Sequence, residues 1–174
     1  MYEQAMGESF DRLPPAVQRF HKLAGLQELH GWVDIEAPST PAARLLALCL
    51  GTPLRATSGP IRFELRAAAE SETWTRHFPS QKMTSRLRLE ARRVVEQLGA
   101  ARLTFELCEA EGRLEMRLMG LRFFGVPCPR WLLPKVVAEE TGQNDRLHFR
   151  VQASLPVIGT VTSYRGHLIV AEKT

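Results

Sequence analysis

An arginine set between two aromatics at two-residue spacing is the first feature of this sequence that could do chemistry. In Trp74-Thr75-Arg76-His77-Phe78, a strand puts Trp74, Arg76 and Phe78 on one face and Thr75 and His77 on the other. A guanidinium between aromatic walls can hold an oxyanion through two parallel N–H donors. The structural alternative is an arginine stem lying on Trp74 at the surface through a cation–π contact. Glu139-Glu140 sits late in another strand, so one carboxylate faces each way. An inward Glu140 needs a cation or a proton, and Arg76 or Arg165 is the expected partner. Tyr164-Arg165-Gly166-His167 places Tyr164 and Gly166 on the face of Leu168. Glycine inside a strand points to a bulge or a close backbone approach. Tyr164 can offer its hydroxyl to a ligand, or pack its ring in the core and bond the backbone.

No recognised catalytic motif accompanies these residues. There is no Gly-rich phosphate loop, no H-E-x-x-H and no G-x-S-x-G, so no cofactor is expected and binding is favoured over catalysis. Among His21, His30, His77, His148 and His167 no pair has the i, i+4 spacing of helical metal ligands, and no metal is expected. Cys49, Cys108 and Cys128 are odd in number and form no CxxC, which argues against a disulfide framework or a zinc site. They read as reduced and partly buried thiols of a cytoplasmic protein. Formal net charge is +4 and pI about 9.3. The densest basic stretch, with Arg86, Arg88, Arg92 and Arg93, is interrupted by Glu90 and reads as a solvated strand face. A nucleic-acid partner is therefore not expected. Glu3 and Glu8 replace the basic region of a secretory signal. No apolar stretch approaches the roughly 18 residues of a membrane span.

The elements that must position these residues follow from hydrophobic period. The length of 174 residues fits one domain, with a helical part and one strand in 1–58 and an antiparallel sheet in 59–174. Leu13-Pro14-Pro15 leads into Val17, Phe20 and Leu23/Ala24, a helix ended by Gly25. A second helix is predicted over Pro41–Leu50, capped by Ser39 or Thr40 and stopped by Gly51. Leucines on most sides mark it as buried. From Gly59 the period becomes two: Ile61, Phe63 and Leu65 alternate with Arg62, Glu64 and Arg66. The same alternation recurs through Met83, Ser85 and Leu87, through Leu103–Leu107, through Leu114–Leu118 and through Leu147–Leu155. We count roughly nine or ten strands. The fold class is mainly β (α+β), a strongly curved antiparallel meander or barrel with two N-terminal helices. Pro127, Pro129 and Pro134 break the meander, which predicts a loop with one helical turn over a barrel mouth.

Several stretches together resemble a bacterial family known only as a domain of unknown function, number forty-one sixty-six in its series. They are Trp74-x-Arg76-x-Phe78 with Met83-x-Ser85, Gly125-x-Pro127-x-Pro129 with Leu133-Pro134, Ala138-x-Glu140, and Leu155-Pro156-x-x-Gly159 with Tyr164-Arg165-Gly166. Cys128 stands where that family often has leucine. Members occur alone or fused behind domains that look like saccharopine dehydrogenase or a short-chain reductase. The resemblance thus implies a reductase-like protein partner, whose docking would need an exposed apolar patch around Phe123, Phe124, Trp131 and Leu132.

From the residues, the leading expectation is a binding module for a small apolar or lipid-like ligand held in a curved-sheet cavity. Arg76, Glu140 and Tyr164 would be its polar groups, with Trp74, Phe78, Met83, Ser85 and Arg165 beside them. The alternatives are an interaction domain for the reductase-like partner, and an enzyme in which Arg76 holds an anion while Glu140, or an inward His77, moves a proton.

Overall fold

The computed structural model describes residues 1–171. Its sheet is a closed antiparallel barrel of ten strands with one short extra strand. In chain order the strands are β1 (Gly25–Glu36), β2 (Thr57–Ala67), β3 (Ser71–His77), β4 (Lys82–Glu90), β5 (Arg93–Leu98), β6 (Ala101–Ala110) and β7 (Arg113–Phe123). There follow the two-residue β8 (Val126–Pro127), then β9 (Lys135–Gln143), β10 (Arg146–Leu155) and β11 (Gly159–Ile169). Neighbours in sequence pair around the ring, and β1 meets β11 to close one side. The other closure is β7 against β9, where Leu114 pairs with Glu140 and Glu115 with Glu139. That seam is zipped at one end. Towards the other end β7 pairs instead with β8.

The period-two reading holds along the wall. In β4, Met83, Ser85 and Leu87 are buried while Arg86 and Arg88 are exposed. Closure satisfies the row of backbone donors and acceptors that a sheet edge would leave open. Three of the hairpin loops are two residues long. Ala91-Arg92, Glu111-Gly112 and Phe124-Gly125 each have both residues at positive φ, the two-residue turn whose twist matches the flanking strands. Gly166 is required by packing: a Cβ there would lie 2.0 Å from the Trp32 carbonyl oxygen across the β1–β11 pair. This is the close-approach alternative. The register shift of this region lies elsewhere, at Ala153/Ser154.

Helices occupy both ends. α1 (Tyr2–Met6), a 3₁₀ segment (Gly7–Arg12) and α2 (Pro15–His21) seal one end, with Tyr2, Phe10, Val17 and Phe20 essentially inaccessible. The sequence reading misses α1, whose five residues carry only the buried pair Tyr2 and Met6 as a signal. α2 stops at His21, four residues before Gly25, which opens β1 instead. α3 (Pro41–Leu50) connects β1 to β2 at the other end. Thr40 caps it by accepting from the Ala43 amide at 3.1 Å, and Gly51 ends it in the left-handed region. The expectation that α3 is buried needs correction. Ala43 and Ala47 face inward, but Leu45 and Leu48 are each 63% exposed. The helix lies across the mouth and has a barrel on only one side. The proline-rich segment forms the expected single helical turn, Arg130–Leu132.

Candidate functional site

Between the helical plug and α3 the barrel encloses a cavity of about 320 Å³. Its wall is overwhelmingly aliphatic and aromatic: Met83, Leu98, Leu103, Phe105, Met116 and Val136 from the sheet, with Leu46 and Leu50 from α3 above. Cys128, Leu132 and Pro134 fill the space left where β7 and β9 part, and they line the cavity too. Its polar side chains include Arg76, Glu96, Glu140 and Tyr164. A smaller void of about 40 Å³ continues below it towards Phe20, and Trp74, Arg76, Glu140 and Tyr164 line both.

β3 supplies the arginine. Alternation points Glu72, Trp74 and Arg76 inward, and all three are buried. The Arg76 guanidinium lies 5.0 Å from the Trp74 ring and 5.7 Å from the Phe63 ring. Its Nη1 donates to Ser85 Oγ at 3.2 Å. No carboxylate among the described residues comes within ion-pair distance of it. A guanidinium has five N–H donors, so most of its capacity is unspent and faces an apolar space. Opposite, on β11, Tyr164 is buried, and its hydroxyl makes no hydrogen bond among the described residues. Burial pushes its pKa up, with Arg76 acting the other way. The phenol therefore stays a neutral donor at physiological pH.

Glu140 on β9 faces inward as expected, but neither Arg76 nor Arg165 is its partner. His21 Nε2 of α2 sits 2.6 Å from Glu140 Oε2. The sequence carried a signal for this: His21 is four residues after Val17, on the helix face that also holds Phe20 and packs on the sheet. Tyr2 stacks on the His21 ring at 3.6 Å and lies parallel to Trp74 at 6.3 Å. The Tyr2 hydroxyl and His21 Nδ1 are buried without a hydrogen-bond partner among the described residues. Burial, followed by the nearby Glu72 and Glu140, raises the Tyr2 pKa well above its usual value. Trp74 Nε1 donates to Glu72 Oε2 at 2.7 Å, yet burial still holds the Glu72 carboxyl above the ordinary range. Glu72 was not singled out from the sequence, although period two from Trp74 and Arg76 places it inward.

The remaining expected residues divide cleanly. Met83 lines the cavity. Ser85 is buried behind Arg76, and Phe78 packs edge-on against Tyr164 at 5.5 Å without reaching the cavity. Arg165 is on the outer wall, exposed, because it alternates with Tyr164. It is corrected out of the cavity group. His77 also points outward, where Glu64 holds it at 2.9 Å. Among the described residues no cluster of three or more His, Cys, Asp or Glu could hold a metal ion. The three cysteines are free thiols of intermediate exposure.

From the stretches that carry the resemblance, Trp74, Arg76, Met83, Ala138, Glu140 and Tyr164 line one interior. A sequence profile described as "Domain of unknown function (DUF4166)" matches residues 13–168. The chain belongs to this family. No curated protein matches the DUF4166 chain in sequence. In structure it is similar to Rv2717c from M. tuberculosis, known from a crystal structure, with a TM-score of 0.51 and 12% identity. The likeness covers 92% of this chain and 99% of that one, and at this identity it speaks for a common fold alone. Among the described residues of the DUF4166 chain, no helix is long and apolar enough to cross a membrane.

Proposed function

We propose that this DUF4166 barrel is a binding module for a small, apolar, lipid-like molecule with one oxygen-bearing end. The observation that carries the reading is the pairing of an apolar cavity with unspent donors. A volume of about 320 Å³ lies at the lower end of the ~300–1,000 Å³ typical of ligand pockets. Arg76 and Tyr164 both offer hydrogens and neither is saturated. They call for an acceptor on the ligand, a carboxylate or carbonyl, while the leucine- and phenylalanine-rich wall takes the hydrocarbon. Binding takes precedence over acid–base catalysis because Glu140 is engaged by His21 and His77 faces away.

Native mass spectrometry of the purified protein, followed by denaturing extraction, tests for a co-purifying apolar molecule. Titration of the emptied protein with decanoate, followed by calorimetry, tests the head-group assignment. Saturable binding is expected, weakened by about tenfold or more in Arg76→Met, since a hydrogen bond to a charged group is worth ~1.5–3 kcal/mol. No co-purifying molecule together with no saturable decanoate heat sinks the proposal.

A further inference from the structure

Six of the ten large apolar side chains that are exposed among the described residues gather at one end of the barrel. They are Leu45 and Leu48 on α3, Phe124 and Val126 beside the β7–β8 turn, Trp131 on the helical turn, and Val157 in the β10–β11 turn. This is the end where β7 and β9 part and where Leu46, Leu50 and Leu132 line the cavity while partly exposed. Charge follows the same division. The connections at this end (37–56, 78–81, 99–100, 124–134 and 156–158) contain Arg44, Arg55 and Arg130 and no Asp or Glu. These three arginines are exposed and make no ion pair among the described residues, which is equally true of Arg66, Arg86, Arg88 and Arg93 on the outer wall, so what sets the rim apart is the lack of carboxylates in its connections. Lys82, Arg122 and Lys135 add positive charge at the adjoining strand ends, against Glu36 alone.

We propose that this rim docks on an anionic phospholipid bilayer, with the cavity mouth facing the lipid. Arginines pair with headgroup phosphates, which a guanidinium recognises in two-point fashion. Aliphatic side chains enter the acyl boundary, and Trp131, 80% exposed, takes the interfacial position that tryptophan's amphipathic ring favours. A protein surface would need a matching acidic and apolar face; a bilayer of anionic lipid supplies both at once. An apolar ligand could then pass between bilayer and cavity without crossing water.

Vesicles of equal parts phosphatidylcholine and phosphatidylglycerol are the probe, with phosphatidylcholine alone as reference, read by co-sedimentation at low and high salt. Binding to the anionic vesicles, weakened by salt and near background on the reference, is expected. The double variant Arg44→Glu/Arg130→Glu should weaken it by about 30-fold or more, from ~1 kcal/mol per basic residue at an anionic surface. Arg88→Glu, the same charge reversal made once and on the outer wall, should leave it nearly unchanged. Trp131→Ala should weaken it without altering its salt dependence. Decanoate titration of the same variants separates this proposal from the binding-module reading, because the rim variants should keep wild-type decanoate affinity. Absence of co-sedimentation overturns the proposal, as does equal sensitivity to Arg88→Glu. A rim that instead forms a stoichiometric complex with a reductase-like protein, or a dimer lost in Trp131→Ala, with no vesicle binding, overturns it equally.

Discussion

The two ends of this barrel solve opposite problems with the same materials. At the plugged end, Tyr2, Phe10, Val17 and Phe20 are packed to near-zero exposure, and Phe20 touches Phe63 and Trp74 edge-on at 5.6 and 5.8 Å. At the mouth, α3 spans the opening by one face, its leucines are partly or largely exposed, and a cavity lies beneath it. Close packing makes the first end the place where truncation leaves a void. Loose packing makes the second the place where it costs little and where a ligand can enter.

The contrast breaks first, and by the largest amount, at Phe20. Phe20→Ala is expected to lower unfolding free energy by about 4 kcal/mol, the usual range for an aromatic lost from a packed core. Leu48→Ala, a smaller truncation on α3's exposed outer face, should stay within ~0.5 kcal/mol of wild type. Urea denaturation of both variants measures the difference. Similar losses at the two sites would mean that the mouth is as tightly held as the plug.

Next in size is the pair that ties the plug to the wall. His21→Ala leaves Glu140 facing the interior without its partner, which should cost about 3 kcal/mol. The double variant His21→Ala/Glu140→Gln should cost less than the sum of the two single variants, because the two groups share one contact. Additive losses would show that the 2.6 Å contact does not couple them in solution.

Ala138→Phe sharpens the comparison from the cavity side. Ala138 lines the cavity from β9, so a phenyl ring there enters empty space rather than a filled core. Stability is expected to change by less than ~1 kcal/mol, well below the ~1–3 kcal/mol of overpacking, while decanoate binding disappears. A loss of stability without a loss of binding would show that the ring is accommodated elsewhere.

Much of this was legible in the sequence because a barrel wall repeats one simple rule. Five strands of the ring, β2, β4, β6, β7 and β10, were visible as alternation of leucine-like and charged residues, and period two put Trp74 with Arg76, and Tyr164 with Leu168, on common faces, while it left open which of Glu139 and Glu140 turns inward. What escaped depended on contacts between distant segments. Glu140 meets His21 across 119 positions, and nothing local to Glu140 names that partner. Leucines on all sides of α3 could not say which would be covered, because coverage depends on how the helix lies over the mouth. Arg165 was grouped with its neighbour Tyr164, although adjacent residues on a strand face opposite ways. β7 and β9 pair at one end only, a property of ring closure and not of either strand's composition.

The smallest expected effect concerns Glu72, and its sign is the informative part. Glu72 lies at the plugged end among aromatic rings, and burial raises its carboxyl pKa above the ordinary 4.5. A raised folded-state pKa means that the folded protein binds this proton more tightly than the unfolded chain does. The stabilising share is therefore fully present below the unfolded value and is lost as pH rises through the folded value. Acidification towards 4.5 should thus work in favour of the fold at this one site, against the general trend of acid denaturation. Glu72→Gln keeps an oxygen to accept from Trp74 Nε1 and removes the charge. The variant should be more stable than wild type at neutral pH, with the advantage shrinking as pH falls towards the ordinary carboxylate range. Thermal melts of the two proteins across that range give the difference directly. A constant offset would mean that Glu72 titrates alike in the folded and the unfolded protein, and an advantage that grows on acidification would mean that the charged form is the one the plug prefers.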